Sequence, residues 1–271
     1  MPILHVTHLR ADADGFASAY WGYKVFGGGL YIPEPDSTVQ NLMKKLKVKN
    51  VIPPVVVGFH VYDTCDSKKL PFFVFNYSVF DHHKVEDEDF LKSSVFSYVK
   101  PRTANVMNLY DLSEGKLEDD VLFVFAVALV TDTGFLKTAK EEELFYLSKF
   151  LKKRPLEEVF TVVFSGKIKN WQSFVRHLNN MKIFSKPKIA FVECDDDDEF
   201  LIIIDTLMYP LDIAVFVGKL PWGLWVYCRK DMMQKIYQKV LRDFPNRDAG
   251  RLYNQHNVDD LIERIEKAIE S

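Results

Sequence analysis

The chain has 271 residues, 48% of them hydrophobic, which is enough to bury a core in each of two domains and too much for a disordered polymer. Lys and Arg number 35 against 38 Asp and Glu, a formal charge of -3, so no global positive field draws the molecule onto nucleic acid and any attraction to phosphate has to be local. The three cysteines, Cys65, Cys194 and Cys228, lack metal-type spacing, and the opening MPILHVTHLRADADG has no apolar leader core. With no apolar run long enough to span a bilayer, the expectation is a soluble, cytoplasmic chain with free thiols and no membrane partner.

The N-terminal part alternates short apolar runs with polar clusters and amphipathic stretches, the signature of parallel strands joined by crossover helices. Ile3 to Thr7 reads as a strand, Phe16 to Phe26 as a helix opened by an Asp and Gly turn, Val55 to Tyr62 as a second strand and Phe72 to Phe80 as a third. Helices are expected over Thr103 to Tyr110, Leu122 to Val130 and Glu141 to Lys152, and Pro155 can sit in the first turn of one more. This gives a first domain over 1–165.

From 166 to 187 the composition turns basic, with Lys167, Lys169, Arg176, Lys182 and Lys186, and the segment reads as a linker running up to Lys188. Beyond it the pattern predicts strands over Lys188 to Cys194, Asp212 to Val217 and Trp222 to Arg229. Helices are predicted over Glu199 to Met208, Met232 to Leu241 and Val258 to Ile269. The fold class is therefore α/β, a mainly parallel sheet flanked by helices followed by a smaller mixed α/β domain over 188–271. The acidic run Asp195 to Asp198 reads as a solvated loop or the first turn of a helix.

Four fragments carry the chemistry, and each is read as following an apolar element of the first domain. HLRADADG supplies His8, Asp12 and Asp14; YDT supplies Asp63; FDHH supplies Asp81, His82 and His83; VTDTG supplies Asp132. The carboxyl ends of strands form the ligand crevice of an open α/β sheet, so these side chains converge on one edge. Singly each aspartate reads as a helix cap or turn former. Together, carboxylates converging without cations repel by several kcal/mol even at an effective dielectric of about 20, and bound cations remove that penalty. Oxygen ligands mixed with imidazole suit two divalent ions, manganese in preference to magnesium and zinc less well, about 3.5–4 Å apart around a water that becomes the nucleophile.

The order HLRADADG, YDTCD, FDHHK, VTDTG resembles the four motifs of the DHH phosphoesterases, a family that includes RecJ-like exonucleases, oligonucleotide-degrading RNases, nucleotide phosphatases and family II pyrophosphatases. The resemblance covers Met1 to Gly134. It implies that His8 and Asp12 hold one metal ion, that Asp14, His82 and Asp132 hold the other, and that Asp63 bridges them. Asp81 would then orient the ligand histidine, His83 would face the phosphoryl group, and the active site would lie in a cleft between the two domains. The second half departs from the family: the arginine of its recognition strand survives as Arg229, but the glycine-rich histidine motif is replaced by DFPNRDAGR. Arg229, Arg247 and Arg251 are candidate phosphate contacts in its place.

Lys167, Lys169, Trp171 and Arg176 interleave cations with an aromatic face, a composition suited to single-stranded nucleic acid; a solvated amphipathic helix with Trp171, Phe174 and Leu178 packed inward is the structural alternative. The preferred reading is an exonuclease or short-oligonucleotide phosphodiesterase acting on single-stranded RNA or DNA through a metal-bridging hydroxide. A phosphatase for small nucleotides such as a 3',5'-bisphosphate is the first alternative. The second is a non-catalytic replication or repair scaffold with a protein partner.

Overall fold

The computed structural model describes residues 2–85, 87–152, 154–185, 188–244, 247–248, 250–253 and 257–270, and for 185, 247 and 248 the backbone alone. The chain divides into two compact units, Met1–Ser165 and Gly166–Ser271.

In the first unit the strands β1 (Ile3–Thr7), β2 (Gly29–Tyr31), β3 (Gly58–Tyr62), β4 (Tyr77–Asp81) and β5 (Phe96–Val99) form a sheet in the order β2-β1-β3-β4-β5, with each neighbouring pair parallel. The order reverses between β1 and β3, so the carboxyl ends of these two strands flank the point where open α/β sheets form their crevice. Helices α1 (Ala13–Phe26), α2 (Ser37–Leu46) and α3 (Glu88–Lys92) lie in the crossovers, and α4 (Asn105–Leu112), α5 (Asp119–Asp132), α6 (Glu141–Leu151) and α7 (Leu156–Phe164) follow the sheet.

Both faces of the sheet are covered, as a parallel sheet requires. Leu4, Val6, Phe59, Val61 and Val79 pack on one side with Leu70 and Phe90. Tyr62 and Phe80 face the larger core built by α1, α4 and α5. In α5 every residue from Val121 to Val130 is buried, which explains why its apolar run carries no polar stripe. Asp132 therefore ends a helix, whereas Asp63 and Asp81 stand at the ends of β3 and β4, and Asp12 and Asp14 open α1. The apolar run Phe72 to Phe75 does not join β4: it follows Pro71, and Asn76 turns the chain with φ 47° before the strand begins. Phe73 is left 87% exposed.

The second unit carries a mixed sheet. Its helices and strands are α8 (Trp171–Asn179), β6 (Lys182–Ser185), β7 (Lys188–Glu193), α9 (Asp197–Leu207), β8 (Val215–Leu220), β9 (Gly223–Cys228), α10 (Lys230–Lys239), β10 (Arg247–Asp248), β11 (Arg251–Tyr253) and α11 (Val258–Glu270). The strand order is β10-β11-β9-β8-β7-β6, with β7 and β8 parallel and the remaining pairs antiparallel. The basic segment is thus not a free connection: α8 seats Phe174 in the core beneath α9, and β6 pairs with β7. Lys186 lies outside the described residues. Among the described residues no helix is long and apolar enough to cross a membrane.

Candidate metal centre

The centre is built around Asp63. Its backbone nitrogen donates to the Phe80 carbonyl at 2.9 Å, and its φ of 58° lies in the left-handed region, which costs a non-glycine residue on the order of 1–3 kcal/mol. That conformation turns the carboxylate away from the sheet and into a ring of imidazoles. Oδ2 lies 3.3 Å from His8 Nε2, and Oδ1 lies 3.1 Å from His82 Nε2 and 3.6 Å from His83 Nδ1. Asp63 is 3% exposed, yet Oδ1 has no hydrogen bond of acceptable geometry. A buried carboxylate oxygen that faces imidazoles without a well-formed hydrogen bond is placed to take a cation.

The other side chains are held just as specifically. His8 Nδ1 donates to the Leu9 carbonyl at 2.7 Å, and His82 Nδ1 donates to the Arg102 carbonyl at 2.9 Å, so both rings turn Nε2 inward. Asp12 caps α1 by accepting from the Gly15 nitrogen at 3.0 Å, and its Oδ1 lies 3.6 Å from His8 Nε2. Asp14 lies against the first turn of α4: Oδ2 accepts from the Asn105 nitrogen at 2.6 Å and Oδ1 from the Val106 nitrogen at 3.1 Å. The positive end of α4 favours that carboxylate. Gly15 permits the close approach of α1 to β1, because a Cβ there would lie 2.4 Å from Thr7 Oγ1 and 3.1 Å from His8 Nε2.

Ligand atoms gather in three overlapping groups, His8 with Asp12 and Asp63, Asp14 with His82 and Asp132, and Asp63 with Asp81, His82 and His83, each within 4.8 Å. Asp63 belongs to the first and third of these groups and His82 to the second and third. The set mixes carboxylate and imidazole without thiolate, a donor set that fits divalent cations of intermediate hardness.

One expected role is reassigned. Asp81 does not orient His82; its Oδ1 accepts from the His83 ring at 2.9 Å and from the His82 and His83 backbone nitrogens at 2.7 and 3.2 Å. The Arg102 carbonyl orients His82 instead, a backbone group that no side-chain motif reveals. Asn105 and Asn108 were also invisible as motif residues. They tie α4 to the sheet edge through the carbonyls of Phe80 at 3.1 Å and Lys100 at 2.8 Å.

The carboxylates and imidazoles of the centre shift one another's protonation. Burial opposes a charge on His8, but Asp12 and Asp63 outweigh it and raise its pKa to about 11. Burial likewise opposes a charge on His82, which Asp63 and Asp14 raise to about 10. Burial and the neighbouring Asp63 push Asp14 up to about 8, and burial with Asp14, Asp12 and Asp63 pushes Asp132 well above the carboxylate range.

The candidate phosphate contacts of the second unit are mostly engaged with carboxylates. Lys167 lies 3.4 Å from Asp198 and Lys169 2.6 Å from Asp196, so the basic segment answers the acidic first turn of α9. Arg229 pairs with Asp212 at 2.8 Å. Arg251 pairs with Asp197 at 3.0 Å, its guanidinium centred 4.3 Å from the Trp225 ring. Arg176 reaches Ser173 Oγ at 2.9 Å. Trp171 is 66% exposed, so Phe174 and not Trp171 is the inward residue of α8. The side chain of Arg247 lies outside the described residues. His177, unremarked among the motifs, joins Asp195 and Glu199 in a fourth group. Its Nδ1 lies 2.9 Å from Glu199, while Ser173 donates to Asp195, and these bonds account for the group as a brace between α8 and α9.

No protein-family model and no curated protein matches the chain. Among solved structures, an exopolyphosphatase-related protein from Bacteroides fragilis shares the fold, with a TM-score of 0.67 at 13% identity over 99% of this chain and 92% of that one. A pGpG-specific phosphodiesterase from Vibrio cholerae aligns over 99% of this chain and 97% of its own, at 14% identity and a TM-score of 0.43.

Proposed function

We propose that the chain is a metal-dependent phosphoesterase whose catalytic centre is the Asp63 cluster of the first unit. The observation that carries the reading is the buried Oδ1 of Asp63, left without a hydrogen bond and faced by His82 and His83, in a residue whose other oxygen faces His8. His8, Asp12 and Asp63 would hold one divalent ion, and Asp14, His82, Asp132 and Asp63 the other, manganese being the preferred metal. When bound, the pair supplies an acidified water and a Lewis-acidic hold on a phosphoryl oxygen. The protein fixes the ligand atoms: carbonyls of Leu9 and Arg102 set the histidine tautomers, and the α4 N-terminus sets Asp14. His83, half exposed and anchored through Nδ1 to Asp81, is placed to donate to the phosphoryl group or the leaving oxygen.

For substrate, the proposal is a short single-stranded oligonucleotide, DNA or RNA. The exposed Trp171 offers a stacking face. The pairing of Lys167 and Lys169 with Asp198 and Asp196 removes the run of free cations that a long strand would require, which favours short chains over processive degradation. That same pairing keeps the small-nucleotide phosphatase as the second reading. The test is a product time course on 5'-labelled and 3'-labelled oligonucleotides of graded length, with manganese, with magnesium and after chelation. Expected are cleavage with manganese above magnesium, preference for the shortest chains, and none after chelation. Full activity after exhaustive chelation, or best activity in zinc, overturns the reading.

A further inference from the structure

Beside the metal centre, the loops after β3 and β4 enclose a recess of about 180 Å³ lined by Thr64, Cys65, Asp66, Lys69, His83 and Lys84. Because β3 and β4 are parallel neighbours, both loops leave the sheet at the edge that carries Asp63 and Asp81. The volume is well below the about 300–1,000 Å³ of a pocket for a whole small-molecule ligand, and it suits a single compact group.

The backbone of the recess is held by hydrogen bonds, and its two lysines are not engaged by described carboxylates. Lys69 donates through its nitrogen to the Asp66 carbonyl at 3.1 Å and accepts at its own carbonyl from the Leu9 nitrogen at 2.7 Å. The Lys84 carbonyl lies 3.8 Å from the buried Cys65 thiol. Neither ammonium has a carboxylate within 4.0 Å among the described residues, unlike Lys167, Lys169, Arg229 and Arg251. Thr64 Oγ1 accepts from the Asp66 nitrogen at 3.2 Å, which leaves its hydroxyl hydrogen to donate elsewhere. Asp66 is the one acidic member of the lining, and its Oδ1 is occupied by the Lys68 nitrogen at 2.9 Å.

We infer that this recess is an anion subsite in which Lys69, Lys84 and Thr64 bind a second, non-scissile phosphate of the substrate. Two lysines and a buried threonine line this compact cavity, and together they offer the several donors from which a phosphate can accept at once. The identification of the anion as part of a substrate rests on the phosphoesterase reading above. The substrate class is then a phosphoester bearing another phosphate within a nucleoside's reach, a 5'-phosphorylated dinucleotide or a nucleoside bisphosphate.

Two measurements test this. The first needs neither metal nor turnover: lysines are reductively methylated with ¹³C and inorganic phosphate is titrated into the chelator-treated protein. The resonances of Lys69 and Lys84, assigned from K69R and K84R, should shift together and saturate, and an absence of shift at both overturns the subsite. The second compares kcat/KM for pApA and ApA with manganese. The parent should favour pApA by about tenfold; K69M/K84M should bring the ratio towards one, and K69R/K84R should retain it. A ratio near one in the parent, or one unaffected by K69M/K84M, overturns the proposal. Cleavage of neither dinucleotide nor of the nucleoside bisphosphate pAp, with the lysine resonances still responding to phosphate, leaves the subsite standing and removes the phosphoesterase reading.

Discussion

Asp63 spends its folded life with a positive φ and three imidazoles for neighbours, so its substitution separates charge from geometry. Asp63→Asn keeps the shape and the tolerance for left-handed backbone but removes the carboxylate that raises His8 and His82. In metal-free protein both imidazole titrations, at about 11 and about 10, should move down towards the ordinary 6.5, and turnover with manganese should fall by orders of magnitude. Histidine-selective NMR titration and initial rates check this; unchanged titrations would mean that Asp63 does not face these rings. The sign for the parent follows from the same values. Raised imidazole pKa values stabilise the metal-free fold fully below 6.5, and the contribution is lost as pH rises through about 10 and 11. Metal entry requires neutral imidazoles, so manganese should displace protons and bind more tightly as pH rises, read by base uptake in a weakly buffered titration. Gly15→Ala tests the packing that presents His8. A methyl group 2.4 Å from Thr7 Oγ1 should cost about 1–3 kcal/mol of stability and weaken metal binding with it. A variant as stable as the parent in urea melts would show that α1 has room to move.

Elements with a strong period or a sharp cap were the legible ones. Strand β1, helix α5 and helix α6 are where the apolar pattern puts them, because burial on both faces of a parallel sheet and all round α5 writes uninterrupted apolar runs. Strand β2 was not legible: it has three residues and begins at a glycine, and parallel pairing with β1 makes it a strand. Likewise β5 is an edge strand with Phe96 exposed, and its alternation is too weak to read. The gathering of His8, Asp12, Asp14, Asp63, His82 and Asp132 was legible in the motifs, whereas the Arg102 carbonyl and the α4 amides that orient His82 and Asp14 were not, since any residue type offers those groups. Helix α8 was read within a basic connection, with an amphipathic helix as the alternative, because its charges are conspicuous and its packing rests on Phe174 and few others. Its exposed Trp171 gives a clean test: Trp171→Ala should leave the melting temperature unchanged and weaken oligonucleotide binding by about 1–3 kcal/mol if a base stacks there. A loss of stability without a loss of binding in fluorescence anisotropy would assign the ring to packing.

At the scale of the whole molecule, each unit has cores of its own and the candidate ligands all lie in the first. Calorimetry should therefore resolve two transitions, with manganese raising the one that belongs to the first unit, by about 2.7 kcal/mol at a hundredfold excess over Kd, and leaving the other in place. A single transition that moves as a whole would show the units to be thermodynamically one.

The breadth of the ligand set along the chain carries a consequence for biosynthesis. The side chains that meet at Asp63 run from His8 near the start to Asp132 at the end of α5, with the sheet strands and the α4 amides between them. A nascent chain displays His8 and Asp12 as soon as β1 and α1 emerge, but it has no complete centre until α5 has left the ribosome. If the centre holds metal as proposed, acquisition would be a late event in the maturation of the first unit. Any ion captured earlier would meet only part of its coordination and would exchange freely until the last ligand arrived.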